Sequence, residues 1–443
     1  FQFFNLFLLY YYTDVFGLDP ISVGTMYLIA NFWDAVNDPM MGALADRVQT
    51  KQGKYRPFLL WCALPYGLLG YAIFANPDLG EVGKLAYAYT TFIAFKMIYT
   101  AINVPYSALM GVISPKEKDR MSLATYRFLG AFGGGFIISL MVRPLVKFFG
   151  GDDEVVGFQA TMAVFGVLSI VFFLLTYVTT RERVAPQLNQ NVSVMEDLRL
   201  LVRNIPWIIM LAAAVCTLAS VAVRGAVTIH YFKYYVGNSE QSVFSLGQAG
   251  SAFFLNFDVT TMFLSSGMLA FILGVTFSGA LGRLLGKRNA LAILTLANGL
   301  AIIGFFFIPP EKTVLVFGVN LLANLLAGPT PALVWALYTD VADYGEWKYG
   351  RRATGLVFSG AMFAQKMGLT IGGTISGWIL GFSGFVANEE QSPESLMGIR
   401  IMFCLIPGAL ALLNGVIIIF YPLNTAKTEE MHRELQRMRE EAA

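Results

Sequence analysis

Apolar runs of roughly 20 residues recur along the whole chain, each long enough to cross a hydrocarbon core about 30 Å thick as a helix. The pattern predicts helices near 1–16, 21–44, 57–76, 83–112, 121–146 and 157–180. After a polar gap it predicts a second set near 206–236, 262–284, 289–309, 313–338, 353–383 and 398–421. The chain thus reads as an all-α membrane protein with a six-helix bundle over 1–180, a cytoplasmic linker over 181–205, a second bundle over 206–422 and a cytoplasmic tail over 423–443. The linker includes the Asn-rich stretch Gln187–Val192, with a short surface helix expected around Val194–Val202. In the tail, charges at helical spacing over Thr425–Glu440 predict a solvated helix at the membrane surface, with partner binding as the alternative. Phe1–Tyr12 is too short to span and opens without a methionine, a basic flank or a cleavage site, so a truncated first helix is expected.

Composition sharpens this picture. The 443 residues are 56% hydrophobic and only 14% charged, where a soluble protein carries about 25% charged residues. A formal net charge of +2 gives no electrostatic case for a nucleic-acid partner. Three cysteines inside apolar runs (Cys62, Cys216, Cys404) and two histidines (His230, His432) support neither a disulfide framework nor a zinc cluster. Basic residues collect in alternate loops, among them Arg47, Lys51, Lys54 and Arg56; Lys116, Lys118 and Arg120; and Arg283, Lys287 and Arg288. The intervening loops are acidic or mixed. The positive-inside rule then places both termini in the cytoplasm.

The two halves repeat. Gly42-Ala43-Leu44-Ala45-Asp46-Arg47 resembles Gly279-Ala280-Leu281-Gly282-Arg283, and Arg127 with Gly133 and Gly134 resembles Lys366 with Gly372 and Gly373 at nearly the same offset. Parallel repeats around a midplane cavity describe a rocking-bundle transporter.

Each ionisable group inside the membrane costs about 2.5–3.5 kcal/mol on insertion scales and needs a reason. Asp34 and Asp38, four residues apart, project from one helical face with Asn37 beside them, a set of oxygens that suits a small hard cation. The competing reading is that both aspartates only pair with basic residues on neighbouring helices. Lys96, Arg127, Arg224 and Lys366 also lie in apolar runs, so cations outnumber the deep aspartates, and at least one is expected to meet an anionic group of a substrate. Snorkelling of Lys96 or Arg224 to an interface is the alternative. Tyr106 and Trp335, with Trp33 and Tyr99, are candidates to stack on sugar rings, against ordinary packing. The turn Asp46-Arg47 through Gly53-Lys54-Tyr55-Arg56-Pro57 is a candidate gate, with Asp46, Arg47, Lys54 and Arg56 pairing charges in one state, or else a bare positive-inside loop. An intramembrane enzyme would need a nucleophile and a base, and no Ser-His or metal set stands at useful spacing. A non-transporting sensor or scaffold is the rival of another class.

At Tyr10-Tyr11-Tyr12-Thr13-Asp14, Trp33-Asp34-Ala35-Val36-Asn37-Asp38-Pro39-Met40-Met41-Gly42, Gly53-Lys54-Tyr55-Arg56-Pro57 and Asp343-Tyr344-Gly345-Glu346, the chain closely resembles the glycoside-pentoside-hexuronide:cation symporter family. The similarity runs over essentially the whole chain. It implies the major facilitator fold, twelve transmembrane helices in two six-helix halves, residence in a bacterial inner membrane and cotransport of a small-molecule sugar with Na⁺, Li⁺ or H⁺. A working monomer in contact with membrane lipid, without nucleic acid or organic cofactor, is expected. By resemblance Asp34, Asn37, Asp38 and Thr100 hold the cation, Asn37 being associated with Na⁺ use, and Arg127 and Lys366 lie near the sugar and the carboxylates. The chain departs from the melibiose-carrier pattern at Asn103, where that carrier has an acidic residue, at Asn31, where it has arginine, and at the additional Lys96 and Arg224. The extra positive charge favours an acidic sugar, a uronide or a sulfonated or sulfated sugar, over a neutral galactoside or pentoside.

Overall fold

The computed structural model describes residues 2–48, 50–114, 117–183, 201–237, 241–246, 255–350 and 354–441. The surface helix expected around Val194–Val202 therefore lies almost wholly outside the described residues. Helix α1 (Gln2–Tyr10) runs into a π-helical turn over Tyr11–Val15. Asp19 accepts the Ser22 amide to start α2 (Pro20–Arg47), with Pro20 at the first helical position, where a missing N–H costs nothing. Helices α3 (Arg56–Ile73), α4 (Glu81–Val112), α5 (Glu117–Gly150) and α6 (Glu154–Thr179) follow, the last capped by Asp153. Asn204 caps α7 (Ile205–His230), which ends in a second π-helical turn over Tyr231–Val236.

The segment between the seventh and eighth predicted spans, in which the sequence showed no motif, holds a hairpin. Strands β1 (Ser242–Leu246) and β2 (Leu255–Asp258) pair antiparallel, Phe244 opposite Phe257 and Leu246 opposite Leu255. Then come α8 (Val259–Val275), α9 (Ser278–Leu285), α10 (Lys287–Gly304), α11 (Thr313–Ala327), α12 (Thr330–Tyr349) and α13 (Thr354–Phe382). The chain finishes with α14 (Pro393–Arg400), α15 (Ile406–Ile419) and α16 (Thr425–Glu441). Seven stretches among the described residues are long and apolar enough to cross a membrane, and the bent pair α8–α9 makes an eighth candidate. Helices α2 and α13, of 28 and 29 residues, also exceed the length of a span, but their polar side chains lower the apolar signal.

Two expectations about boundaries change. The single helix expected near 262–284 is two, α8 and α9, meeting at 51°. Thr276 and Phe277 donate their amides to Leu273 and Gly274, and the hydroxyls of Thr276 and Ser278 bond to Leu273 and Val275, so side chains and tight turns take the carbonyls a straight helix would use. The run expected near 313–338 breaks at Gly328-Pro329 and then continues as helix to Tyr349.

The chain forms two compact units: Phe1–Leu188 with Asn238–Met262 and Leu380–Glu390, and Asn189–Gly237 with Phe263–Ile379 and Gln391–Ala443. In the first, an aromatic core joins α1, α3 and α6, with Tyr11 and Phe158 both against Phe74 and the Tyr11 hydroxyl donating to the Phe74 carbonyl at 2.8 Å. The hairpin belongs to this unit: Arg143 of α5 sends Nε and Nη2 to Asp258 Oδ2, each at 2.7 Å, while Asp258 Oδ1 accepts the Thr261 amide. In the second unit, Trp207, Met210, Leu337, Tyr338 and Tyr421 pack into one core. The tail helix α16 is more than solvated: Met431 and Leu435 are buried in that core, and Glu434 accepts from the Trp347 indole.

Candidate functional site

Helices α2 and α4 pack side by side within the first unit and bring together four of the residues singled out above. Asp34 is almost fully buried, 2% exposed, and Thr100, 1% exposed, faces it from α4. The Thr100 Oγ1 lies 2.7 Å from Asp34 Oδ1 and 3.0 Å from Asp38 Oδ1. The i, i+4 spacing in α2 aims both carboxylates at one face, and Thr100 stands opposite the gap between them. A hydroxyl has a single proton, so it can donate to only one carboxylate at a time. Two carboxylates and a hydroxyl thus converge within hydrogen-bonding distance of one point, an oxygen-rich set of the kind hard monovalent and divalent cations select. Asn37 is half-buried on the same helix.

Lys96, one turn before Thr100 on α4, joins this group. Its ammonium lies 3.7 Å from Asp34 Oδ2, the oxygen turned away from Thr100, and 5.8 Å from the centre of the Phe92 ring. Asp34 and Asp38 bring two formal negative charges here and Lys96 one positive charge.

Arg127 of α5 also reaches toward α4: it donates to Ser107 Oγ at 3.2 Å and stacks over Tyr106 at 5.1 Å from the ring centre. Tyr106 and Arg127 form a cation–aromatic pair in the first unit, and like Asn31 and Asn103 both are half-buried. In the second unit Arg224 donates to Asn320 Oδ1 at 3.3 Å and stands over Phe305 and Phe403. Among the described residues, no carboxylate pairs with Arg127 or with Arg224. Trp335 stacks on Phe358 at 5.5 Å and 15°. Lys366 is half-buried on α13.

The expected gate residues have a partner the sequence did not point to. Glu182, just beyond α6, accepts three consecutive backbone amides of the turn before α3, from Lys54 at 2.8 Å, Tyr55 at 2.7 Å and Arg56 at 2.9 Å. Its charge sits on the amino end of α3, where the helix dipole favours an anion. Gly53, with φ +116°, makes room: a Cβ there would stand 2.6 Å from Glu182 Oε1. Arg56 donates to the Tyr177 carbonyl at 2.6 Å and covers the Tyr177 ring. Arg47 is exposed, and the Asp46 side chain lies outside the described side chains. The only trace of this clamp in the sequence is one acid set between Arg181 and Arg183.

Residues of the Asp-Tyr-Gly-Glu motif and its surroundings are paired within the second unit. Asp340 accepts from Lys287 Nζ at 2.7 and 2.8 Å, and His432 of the tail helix lies 3.4 Å from Asp343.

Comparison with known proteins shows the family. Residues 2–425 match the MFS/sugar transport protein family. The putative glycoside/cation symporter YagG of Escherichia coli (strain K12) is 37% identical over 97% of this chain and 90% of its own length. The glucuronide carrier protein homolog of the same organism is 30% identical, again over 97% and 90%. Among solved structures, that of the nucleoside transporter NupG (D323A mutant) superposes with a TM-score of 0.63 at 13% identity, covering 94% of this chain and 95% of the other, a likeness of fold alone. The chain belongs to the MFS/sugar transport family: it is an all-α, multi-pass membrane transporter and not an enzyme.

Proposed function

Starting from membership of a sugar-transport family, we propose that this protein is a cation-coupled symporter of glycosides, driven by Na⁺, whose substrate is an acidic sugar such as a uronide or a sulfonated sugar. It works as a monomer in a bacterial inner membrane with both termini in the cytoplasm, alternating access between the two sides.

The convergence of Asp34, Asp38 and Thr100 carries this reading. The buried carboxylate of Asp34 and the half-buried one of Asp38, sharing one hydroxyl proton, repel one another, and a bound cation relieves that repulsion. Asn37 supplies a further amide oxygen on the same helix. The cation stabilises the state that holds sugar well, so each ligand raises the affinity for the other by linkage. Arg127 and Arg224 support the acidic substrate. A guanidinium in an apolar span without a carboxylate is costly unless a ligand supplies one, and Tyr106 beside Arg127 offers a ring face to a pyranose. The kinship with a glucuronide carrier homolog agrees with this choice.

Calorimetric binding of methyl glucuronide, a sulfonated sugar and a neutral methyl galactoside, each with and without Na⁺, tests the reading. Binding of an acidic sugar that tightens with Na⁺ is the expected result. Binding of the galactoside alone would overturn the acidic-substrate assignment.

A further inference from the structure

We infer that Lys96 is a tethered internal cation that competes with the coupling ion for Asp34 and, once displaced, becomes the ligand of the sugar's anionic group. This rests on the symport reading above and deepens it by assigning the step that ties the two substrates together.

The two oxygens of Asp34 face different partners: Oδ1 is bound to Thr100, next to Asp38, and Oδ2 faces the Lys96 ammonium at 3.7 Å. At 3.7 Å this contact is an ion pair looser than a charge-assisted hydrogen bond. Its side chain keeps 23% of its surface exposed while that of Asp34 keeps 3%, which leaves the lysine an accessible side toward which its flexible four-carbon stem can swing. Both groups lie in the first unit, and so does Arg127, whose guanidinium covers Tyr106 about three turns further along α4.

Charge decides the consequence. With Lys96 on Asp34, a monovalent cation entering beside Thr100 must share the carboxylates with a second positive charge only a few ångströms away. Like charges at that range inside a protein repel strongly, so the ammonium leaves Asp34 as the ion arrives. The freed ammonium then seeks an anion. A carboxylate or sulfonate on the sugar supplies one, whereas a neutral sugar does not. Ion binding thereby creates a binding group for an acidic substrate, and the acidic substrate in turn holds the lysine away from the ion, a reciprocal coupling.

The test measures Na⁺ affinity of the purified protein by calorimetry or intrinsic fluorescence, and methyl glucuronide affinity with and without Na⁺, in wild type, Lys96→Met, Lys96→Arg and Asp38→Asn. In Lys96→Met, Na⁺ affinity is expected to rise about 10- to 100-fold while the tightening of glucuronide binding by Na⁺ disappears. Lys96→Arg, which keeps the charge, is expected to stay within a few-fold of wild-type Na⁺ affinity. A gain in affinity cannot come from misfolding, which makes the methionine variant informative. Unchanged Na⁺ affinity in Lys96→Met, with Na⁺ binding lost in Asp38→Asn, would overturn the role of Lys96 and leave the cation site standing. Wild-type Na⁺ binding in Asp38→Asn would instead remove the underlying symport reading.

Discussion

Thr100 has one proton and two carboxylate neighbours, and this imbalance makes it a sensitive probe of the ion. Thr100→Val keeps the shape and removes the oxygen. Na⁺ affinity measured by titration should fall about tenfold or more, because the ion loses one of few protein oxygens, whereas Thr100→Ser should stay within about threefold. Equal affinities in all three proteins would exclude the hydroxyl from the site. Glu182 allows a second prediction at this scale. Its carboxylate satisfies three amides at the start of α3, and Glu182→Ala should cost about 1–3 kcal/mol for the polar groups left without a partner. A lower thermal midpoint and faster tryptic cleavage at Lys51 and Lys54 are expected, and unchanged values of both would show that water replaces the carboxylate at no cost. The pairing of Asp34 and Asp38 was legible in the sequence because helical periodicity fixes which side chains share a face. Thr100 was legible only through resemblance, since a hydroxyl in an apolar helix usually bonds back to its own carbonyls, as Thr91 does here. Glu182 left almost no signal, because backbone amides have no side-chain signature.

Among the elements, the positions of the long helices followed from apolar run length, but their breaks did not. The bend between α8 and α9 and the close crossing of α8 with α11 depend on glycines whose neighbours are distant in sequence. A Cβ on Gly328 would lie 2.3 Å from the Phe271 carbonyl oxygen, and one on Gly274 would lie 2.5 Å from that of Leu325. Gly328→Val should therefore force the helices apart at a cost of about 1–3 kcal/mol, read as a lower thermal midpoint in detergent. Gly318→Ala, at a position with nothing within 4 Å, should leave the midpoint unchanged or slightly higher. Equal effects of the two would contradict the close crossing. The hairpin of β1 and β2 was opaque because its strands, of five and four residues, are too short to give either a span or a long alternation. Its anchor is specific all the same: Arg143→Met leaves Asp258 buried without its cation, and limited proteolysis between β1 and β2 should accelerate severalfold.

At the scale of the whole molecule, internal repetition and loop charge pointed to a transporter, and the family match shows that class. What periodicity alone could not supply is the partnership of the intramembrane charges, because partners lie on different helices. Lys96 illustrates this: its charge was visible in the sequence, yet only packing of α4 on α2 assigns it to Asp34. Arg127 and Arg224, one in each unit, carry the expectation about substrate. If the Arg127 charge meets the sugar and not the ion, as proposed, Arg127→Met should weaken glucuronide binding by at least about tenfold while leaving Na⁺ affinity within a few-fold.

Coupling is the central claim, and the most direct measurement is uptake of labelled glucuronide into proteoliposomes with and without an imposed inward Na⁺ gradient, for wild type and Asp38→Asn. Wild type should accumulate sugar against its gradient only when Na⁺ is imposed, and Asp38→Asn should lose accumulation. Full Na⁺-driven accumulation by Asp38→Asn would contradict the assignment of the ion to Asp34, Asp38 and Thr100.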